Sequence, residues 1–202
     1  MKIGLMGGTF DPIHTGHRDI ALSAKNEYAL DELWFMPAGS PYCKACTKVT
    51  DAELRLRMTE LAVSEMPDFC HVCDIEIRAE GKTYTAETLE ELKRLYPKDE
   101  FYFIAGADSI LYMEDWYEPE LIFRDSVVLC AERPGHDEEL SSHISMLKER
   151  FFPNEDRIRL IHCPKTDISS TMIRDKVRAG EDISTYVSPK VLRFIKENRL
   201  YI

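Results

Sequence analysis

A chain of 202 residues is long enough to bury a proper core and makes one α/β domain, or one domain with a small appendage. Its net charge of −10 argues against non-specific binding to DNA, RNA or anionic membranes, so an anionic ligand would need a locally basic pocket. No apolar run approaches a membrane span and no signal-peptide pattern opens the chain, which is the expectation for a cytoplasmic protein whose six cysteines stay reduced.

The first element is an apolar strand at Ile3-Gly4-Leu5-Met6. The run GGTFDPIHTGH follows, from Gly7 to His17. Gly7-Gly8 predicts a tight turn and a close approach of backbone to ligand. A helical pattern begins near His17, with Ile20, Ala21, Leu22, Ala24 and Tyr28 as its apolar positions. A strand, a glycine turn and a helix N-terminus make a phosphate site, because unpaired N–H groups and the helix dipole face the anion. His14 and His17 stand three residues apart at its mouth, and both can donate to phosphate oxygens. The run is neither GxxxxGK[ST] nor GxGxxG.

Leu33 to Pro37 reads as a second strand, followed by a loop from Ala38 to Thr50. Asp51 is placed to cap a helix through Glu65, with Leu54, Met58, Leu61 and Ala62 on its buried face. Cys70 to Ile77 alternates like a strand, and Thr85 is placed to cap a helix to about Leu95. Phe101 to Ala105 is a central strand running into Gly106-Ala107-Asp108. Ser126 to Ala131 is another, followed by Arg133-Pro134-Gly135 and an acidic stretch, His136 to Glu139, that reads as a solvated loop and helix start. Arg157 to His162 is the last strand, and helices cover Ser170 to Arg178 and Ser188 to Asn198. Repeated βα units imply a doubly wound parallel sheet with helices on both faces. Ligands bind beyond the carboxyl ends of such strands. His14/His17, Lys44, Asp108, Arg133 and Ser169/Ser170 all fall at such ends, which points to one shared site.

Asp167-Ile168-Ser169-Ser170-Thr171-Met172-Ile173-Arg174 opens a helix after a strand and short loop. Its hydroxyls and N–H groups can hold phosphate, and Arg174, one turn inside, can make a forked contact. Alone this would be an ordinary Ser/Thr cap with an exposed arginine; beside the first phosphate turn it reads as a second grip on a polyphosphate. The chain carries no GxSxG and no Cys–His pair at a recognisable spacing. A site of donors and cations suits phosphoryl or nucleotidyl transfer, where positioning and charge stabilisation supply the catalysis.

Cys43-x-x-Cys46 and Cys70-x-x-Cys73 have the spacing of paired zinc ligands. In a parallel sheet, however, the two pairs fall at opposite ends of strands roughly 15–20 Å long. A shared four-cysteine zinc is therefore not expected, whereas a two-cysteine site borrowing other ligands in the 43–46 loop stays open.

With both phosphate elements in hand, the chain resembles the bacterial nicotinate-nucleotide adenylyltransferases of the HxGH nucleotidyltransferase superfamily. HTGH at 14–17 matches the first signature and ISSTMIR at 168–174 the second. KTYTAETL at 82–89, FIAGADS at 103–109 with Trp116-Tyr117, and Arg133-Pro134-Gly135 narrow the resemblance, which extends to Leu200-Tyr201. It implies a Rossmann-like fold of nucleotidyltransferase type, a single domain over 1–202 with 168–202 as its C-terminal helical part. It implies adenylyl transfer from ATP to nicotinate mononucleotide in NAD biosynthesis, with Mg²⁺ carried by ATP and no metal held by protein side chains. Homo-oligomerisation is left open.

By the same resemblance His14, His17, Lys44 and Arg174 are catalytic. Gly7, Gly8, Thr9, Phe10, Gly106, Asp108, Ile168, Ser169, Ser170 and Thr171 join His14, His17 and Arg174 in binding ATP. Within that set, Ser169, Ser170, Thr171 and Arg174 hold the β- and γ-phosphates, and Asp108 takes the ribose. Thr85, Ala86, Trp116, Tyr117, Arg133 and Lys44 bind the mononucleotide, with Trp116 stacked on its pyridine ring and N–H groups near Ala86 and Tyr117 on its carboxylate. The family usually has Pro-Pro-His-Lys where this chain has Pro41-Tyr42-Cys43-Lys44, so Cys43 replaces an imidazole. Alternatives are an adenylyltransferase for nicotinamide mononucleotide or another phosphate acceptor, and a nucleotide-sensing or metal-regulated module without turnover. HTGH, Lys44 and SSTMIR together speak against the module.

Overall fold

The computed structural model describes residues 1–40, 49–131, 137–163 and 167–202. Strands and helices alternate. The strands are Lys2–Gly8 (β1), Glu32–Pro37 (β2), Cys70–Val72 (β3), Glu100–Gly106 (β4), Ser126–Ala131 (β5) and Ile158–Ile161 (β6). They form a six-stranded parallel sheet in the order β3-β2-β1-β4-β5-β6. Lys2 lies opposite Glu100 and Met6 opposite Ile104; Phe101 pairs with Ser126, and Val128 with Ile158. Strands covered on both faces read as continuous apolar runs rather than alternations, and the interiors of β1 and β4 are buried throughout.

The helices are Thr15–Tyr28 (α1), Ala52–Val63 (α2), Ile75–Arg78 (α3), Thr85–Leu95 (α4), Ala107–Ile110 (α5), Pro119–Asp125 (α6), Asp137–Phe151 (α7), Ser170–Arg178 (α8) and Pro189–Glu197 (α9). A 3₁₀ turn covers Met113–Asp115. Several starts follow from local chemistry: Asp51 accepts from the Glu53 N–H, Ser169 from Met172 and Ser188 from Val191, each filling an orphan donor of a helix N-terminus.

The chain divides into two compact units. The first comprises Met1–Gly7, Ile20–Leu33 and Tyr84–Lys165. Its core holds Ile3, Leu5, Leu33, Leu89, Phe101, Ile104 and Leu129, with Phe123 between Phe151 and Phe152 at ring distances of 5.6 and 4.6 Å. The second comprises Gly8–Asp19, Trp34–Thr83 and Thr166–Ile202, with a core of Phe10, Ile13, Phe35, Met58, Ile173, Val191 and Ile195.

Four expectations need correction. The strand expected over Cys70 to Ile77 stops at Val72: Asp74 turns the chain into α3, which buries Glu76 rather than its isoleucines. The buried face of α2 is also rotated: Arg55, Leu56, Met58, Thr59 and Ala62 are buried, and Leu54 and Leu61 are only partly so. Periodicity alone would not bury an arginine; tertiary hydrogen bonds do. Thr85 does not cap α4, whose N-cap is Tyr84 in extended conformation, with no side-chain bond. Finally, Gly7 and Gly8 belong to β1 rather than to a turn. The positive φ falls on Phe10, at 50°, and Gly8 serves packing: a Cβ there would come within 2.6 Å of the Phe10 ring.

Candidate active site

The loop leaving β1 builds a compact polar cluster inside the second unit. Phe10 is buried and sets its ring edge-on to His17, with centroids 4.9 Å apart. His14 and His17 stack, with centroids 3.7 Å apart and planes 27° from parallel. The His14 carbonyl accepts from the N–H groups of His17 and Arg18 as α1 starts. The His14 N–H donates to Nδ1 of His17 at 3.2 Å. An accepting Nδ1 puts the proton of a neutral His17 on Nε2, so the ring presents a donor on its far side. His14 is only 8% exposed, and His17 is half-buried.

The start of α8 is tied to the same loop. The Ser170 hydroxyl donates to the Pro12 carbonyl at 2.9 Å. Arg174 donates through Nη1 to the Asp11 carbonyl at 2.8 Å and through Nη2 to Thr171 Oγ1 at 3.1 Å. Ser169 spends its hydroxyl capping α8, and Thr171 is exposed. The positive end of α8 and its Arg174 guanidinium are thus tied to the loop that leads into the imidazole pair. This is chemistry for holding and polarising phosphate oxygens.

In the first unit, α4 begins at Thr85 with no side chain capping it, so its leading N–H groups are not engaged that way. Ala86 is fully buried. The Tyr84 ring lies 4.5 Å from that of Tyr117, which is 46% exposed. Trp116 is half-buried and meets Phe103 edge-on at 6.2 Å. Uncapped helical N–H groups beside aromatic faces suit a flat anionic ring. Gly106 ends β4 and Asp108 follows it; a Cβ on Gly106 would meet nothing within 4 Å, and Asp108 is exposed in the first turn of α5.

Comparison with known proteins agrees with this chemistry. The cytidylyltransferase-like family model matches residues 5–176. A probable nicotinate-nucleotide adenylyltransferase from Dehalococcoides mccartyi is 40% identical, covering 100% of this chain and 97% of that protein. The chain belongs to the nicotinate-nucleotide adenylyltransferase family. A second such relative, from Lachnoclostridium phytofermentans, is 37% identical, covering 100% of this chain and 99% of the relative. Among solved structures, the Plasmodium falciparum nicotinic acid mononucleotide adenylyltransferase complexed with APC superposes with a TM-score of 0.76 at 25% identity. That match covers 99% of this chain and 96% of the other.

Two adenylyltransferase site residues expected from sequence, Lys44 and Arg133, lie outside the described residues, as do Cys43 and Cys46. Cys70 is buried and Cys73 half-buried. Among the described residues, no group of three His, Cys, Asp or Glu side chains is placed to hold a metal, and no helix is long and apolar enough to cross a membrane. Sequence reasoning missed Arg55, Asp11 and Tyr201 as parts of the loop's surroundings. The available signal was an arginine on the apolar stripe of α2, at a position where a charge is costly unless its donors are matched.

Proposed function

We propose that this chain transfers an adenylyl group from ATP to nicotinate mononucleotide, giving nicotinate adenine dinucleotide and pyrophosphate. The observation that carries the reading is the single loop on which the His14–His17 stack, Ser170 and Arg174 meet, in a member of this family. A phosphate oxygen of the mononucleotide attacks the α-phosphorus of ATP. The bond from that phosphorus to the bridging oxygen breaks, and pyrophosphate leaves with the electron pair. His17 donates from Nε2 to the charged oxygens, His14 supports it by stacking, and Arg174 with the N–H groups of Ser170 and Thr171 takes the β- and γ-phosphates.

Gly7, Gly8, Thr9 and Phe10 line the loop's approach to ATP, and Ile168 leads into α8. Gly106 leaves room for the nucleoside and Asp108 receives its ribose. Thr85 and Ala86 offer N–H groups to the nicotinate carboxylate, together with that of Tyr117, and Trp116 stacks on the pyridine ring. Lys44 and Arg133 contribute positive charge to the mononucleotide phosphate. Mg²⁺ belongs with the nucleotide: the loop offers imidazoles, a guanidinium and hydroxyls, and the carboxylate of Asp11 already accepts from Thr50 and Tyr201. When bound through ATP oxygens and water, the ion neutralises charge on the phosphates. The reading keeps one nucleotidyltransferase domain over 1–202, with 168–202 its C-terminal helical part and a cytoplasmic location; the family match across residues 5–176 supports the domain assignment over that range.

The test is pyrophosphate release from ATP with nicotinate mononucleotide, nicotinamide mononucleotide and other phosphate acceptors, with the dinucleotide identified by mass. Turnover with nicotinate mononucleotide is the expected result. Absence of turnover with every acceptor would favour a sensing module, and a preference for another acceptor would reassign the pocket.

A further inference from the structure

We propose that Arg55, Asp11 and Tyr201 form a hub, with Arg55 and Asp11 buried and Tyr201 half-buried, that fixes the loop from Thr9 to His17 in its working conformation, which makes them positioning residues for adenylyl transfer. The idea rests on the function proposed above, but its structural basis is independent of it.

Arg55 is 1% exposed and its guanidinium meets four backbone carbonyls. Nε donates to Thr50 at 2.9 Å; Nη1 donates to Thr9 at 2.9 Å and to Ala38 at 2.6 Å; Nη2 donates to Gly39 at 2.8 Å. One planar fork thereby joins three chain segments: the phosphate loop, the stretch after β2 and the residue before the Asp51 N-cap of α2. The close fit leaves Gly39 no room for a side chain, since a Cβ there would lie 2.1 Å from the Glu76 carbonyl oxygen. Lysine, with its donors on one nitrogen, cannot span those carbonyls.

Asp11 anchors the loop from the other side. It is 3% exposed; Oδ2 accepts from the Thr50 N–H at 3.1 Å and Oδ1 from the Tyr201 hydroxyl at 2.7 Å. Tyr201 is 190 residues away in sequence, and its hydroxyl also approaches the thioether Sδ of Met58 at 3.7 Å. Burial disfavours the charged form of Arg55, and the charge of Asp11 is the largest effect opposing it. The same loop holds Phe10 at a φ of 50°, in the left-handed region that a bulky non-glycine residue adopts only when its surroundings over-determine it. Bonds to Thr9 on one side of Phe10 and to Asp11 on the other supply that determination.

The full chain carrying Tyr201→Phe or Arg55→Lys would be assayed for turnover and for hydrogen exchange by mass spectrometry. Tyr201→Phe is expected to lower kcat about 5–10-fold, and Arg55→Lys about 10²-fold, with KM for nicotinate mononucleotide within about twofold. Exchange is expected to accelerate about fivefold or more in peptides covering Thr9–His17 while β4 and β5 stay at wild-type rates. Unchanged kcat in both variants, or acceleration spread equally over β4 and β5, overturns the proposal. If Arg55→Lys does not fold, Tyr201→Phe decides alone. A wild-type protein that makes no nicotinate adenine dinucleotide sinks the proposed function, whereas the exchange pattern still decides the hub.

Discussion

The two regions that carry the proposed chemistry are built differently. The loop from Thr9 to His17 adds to its ring contacts a set of hydrogen bonds: Thr9 is held by Arg55, Asp11 by Thr50, Tyr201 and Arg174, Pro12 by Ser170, and His17 by His14. The stretches at Tyr84–Ala86 and Trp116–Tyr117 in the other unit are held by ring contacts, Tyr84 on Tyr117 and Trp116 on Phe103. The difference matches the demands. Stabilising charge that develops in a transition state needs donors fixed in advance, because their reorganisation would subtract from catalysis. Recognising a flat ring needs shape and apolar area, which aromatic faces supply.

The largest expected effect separates the two regions outright. His17→Ala should lower kcat by about 10²–10³ with the fold intact by circular dichroism, because it removes a fixed donor. A parallel loss of melting temperature and activity would make His17 a structural residue and erase the contrast. Next comes discrimination by the aromatic region. If uncapped N–H groups of α4 read a carboxylate, the acid mononucleotide should exceed its amide in kcat/KM by about 10²-fold or more. Similar efficiencies would remove that role from Ala86 and Tyr117.

Trp116→Ala is a smaller perturbation. Loss of about 1 kcal/mol of stacking should raise KM for the mononucleotide about fivefold and leave KM for ATP near its wild-type value. A change in the ATP constant alone would place this indole elsewhere.

The smallest effect concerns the stability of the unit that carries the phosphate loop. Burial pushes the Cys73 thiol up to about 11. The unfolded thiol ionises near 9 while the folded one stays neutral, so the stabilisation is complete below pH 9 and is lost as pH rises towards 11. Burial, then Asp11, also raises the Tyr201 hydroxyl, which adds to the same alkaline trend. Scanning calorimetry should find the fall in Tm between pH 9 and 11 smaller in Cys73→Ala by about 1–3 °C. An identical fall in both proteins would show that the thiol is not shielded.

Much of the fold was legible because its signals are local. Apolar runs marked β1, β4 and β5, and Asp51 announced α2 by capping chemistry. The motifs proposed to hold phosphate were legible for the same reason, since HTGH and SSTMIR each lie at a helix start. Local pattern misled where a tertiary partner outweighed it. Arg55 sits on the buried face of α2 because four carbonyls from three segments meet its guanidinium, and none of those partners is visible from the helix's own periodicity. Asp11 lay inside the motif, but its role depends on Tyr201, 190 residues away. Sequence alone determined which elements bear the HTGH and SSTMIR motifs, to which the proposed phosphate chemistry is assigned. Tertiary structure alone decided how the loop is held, because a buried polar network forms only where distant segments bring matching donors and acceptors together.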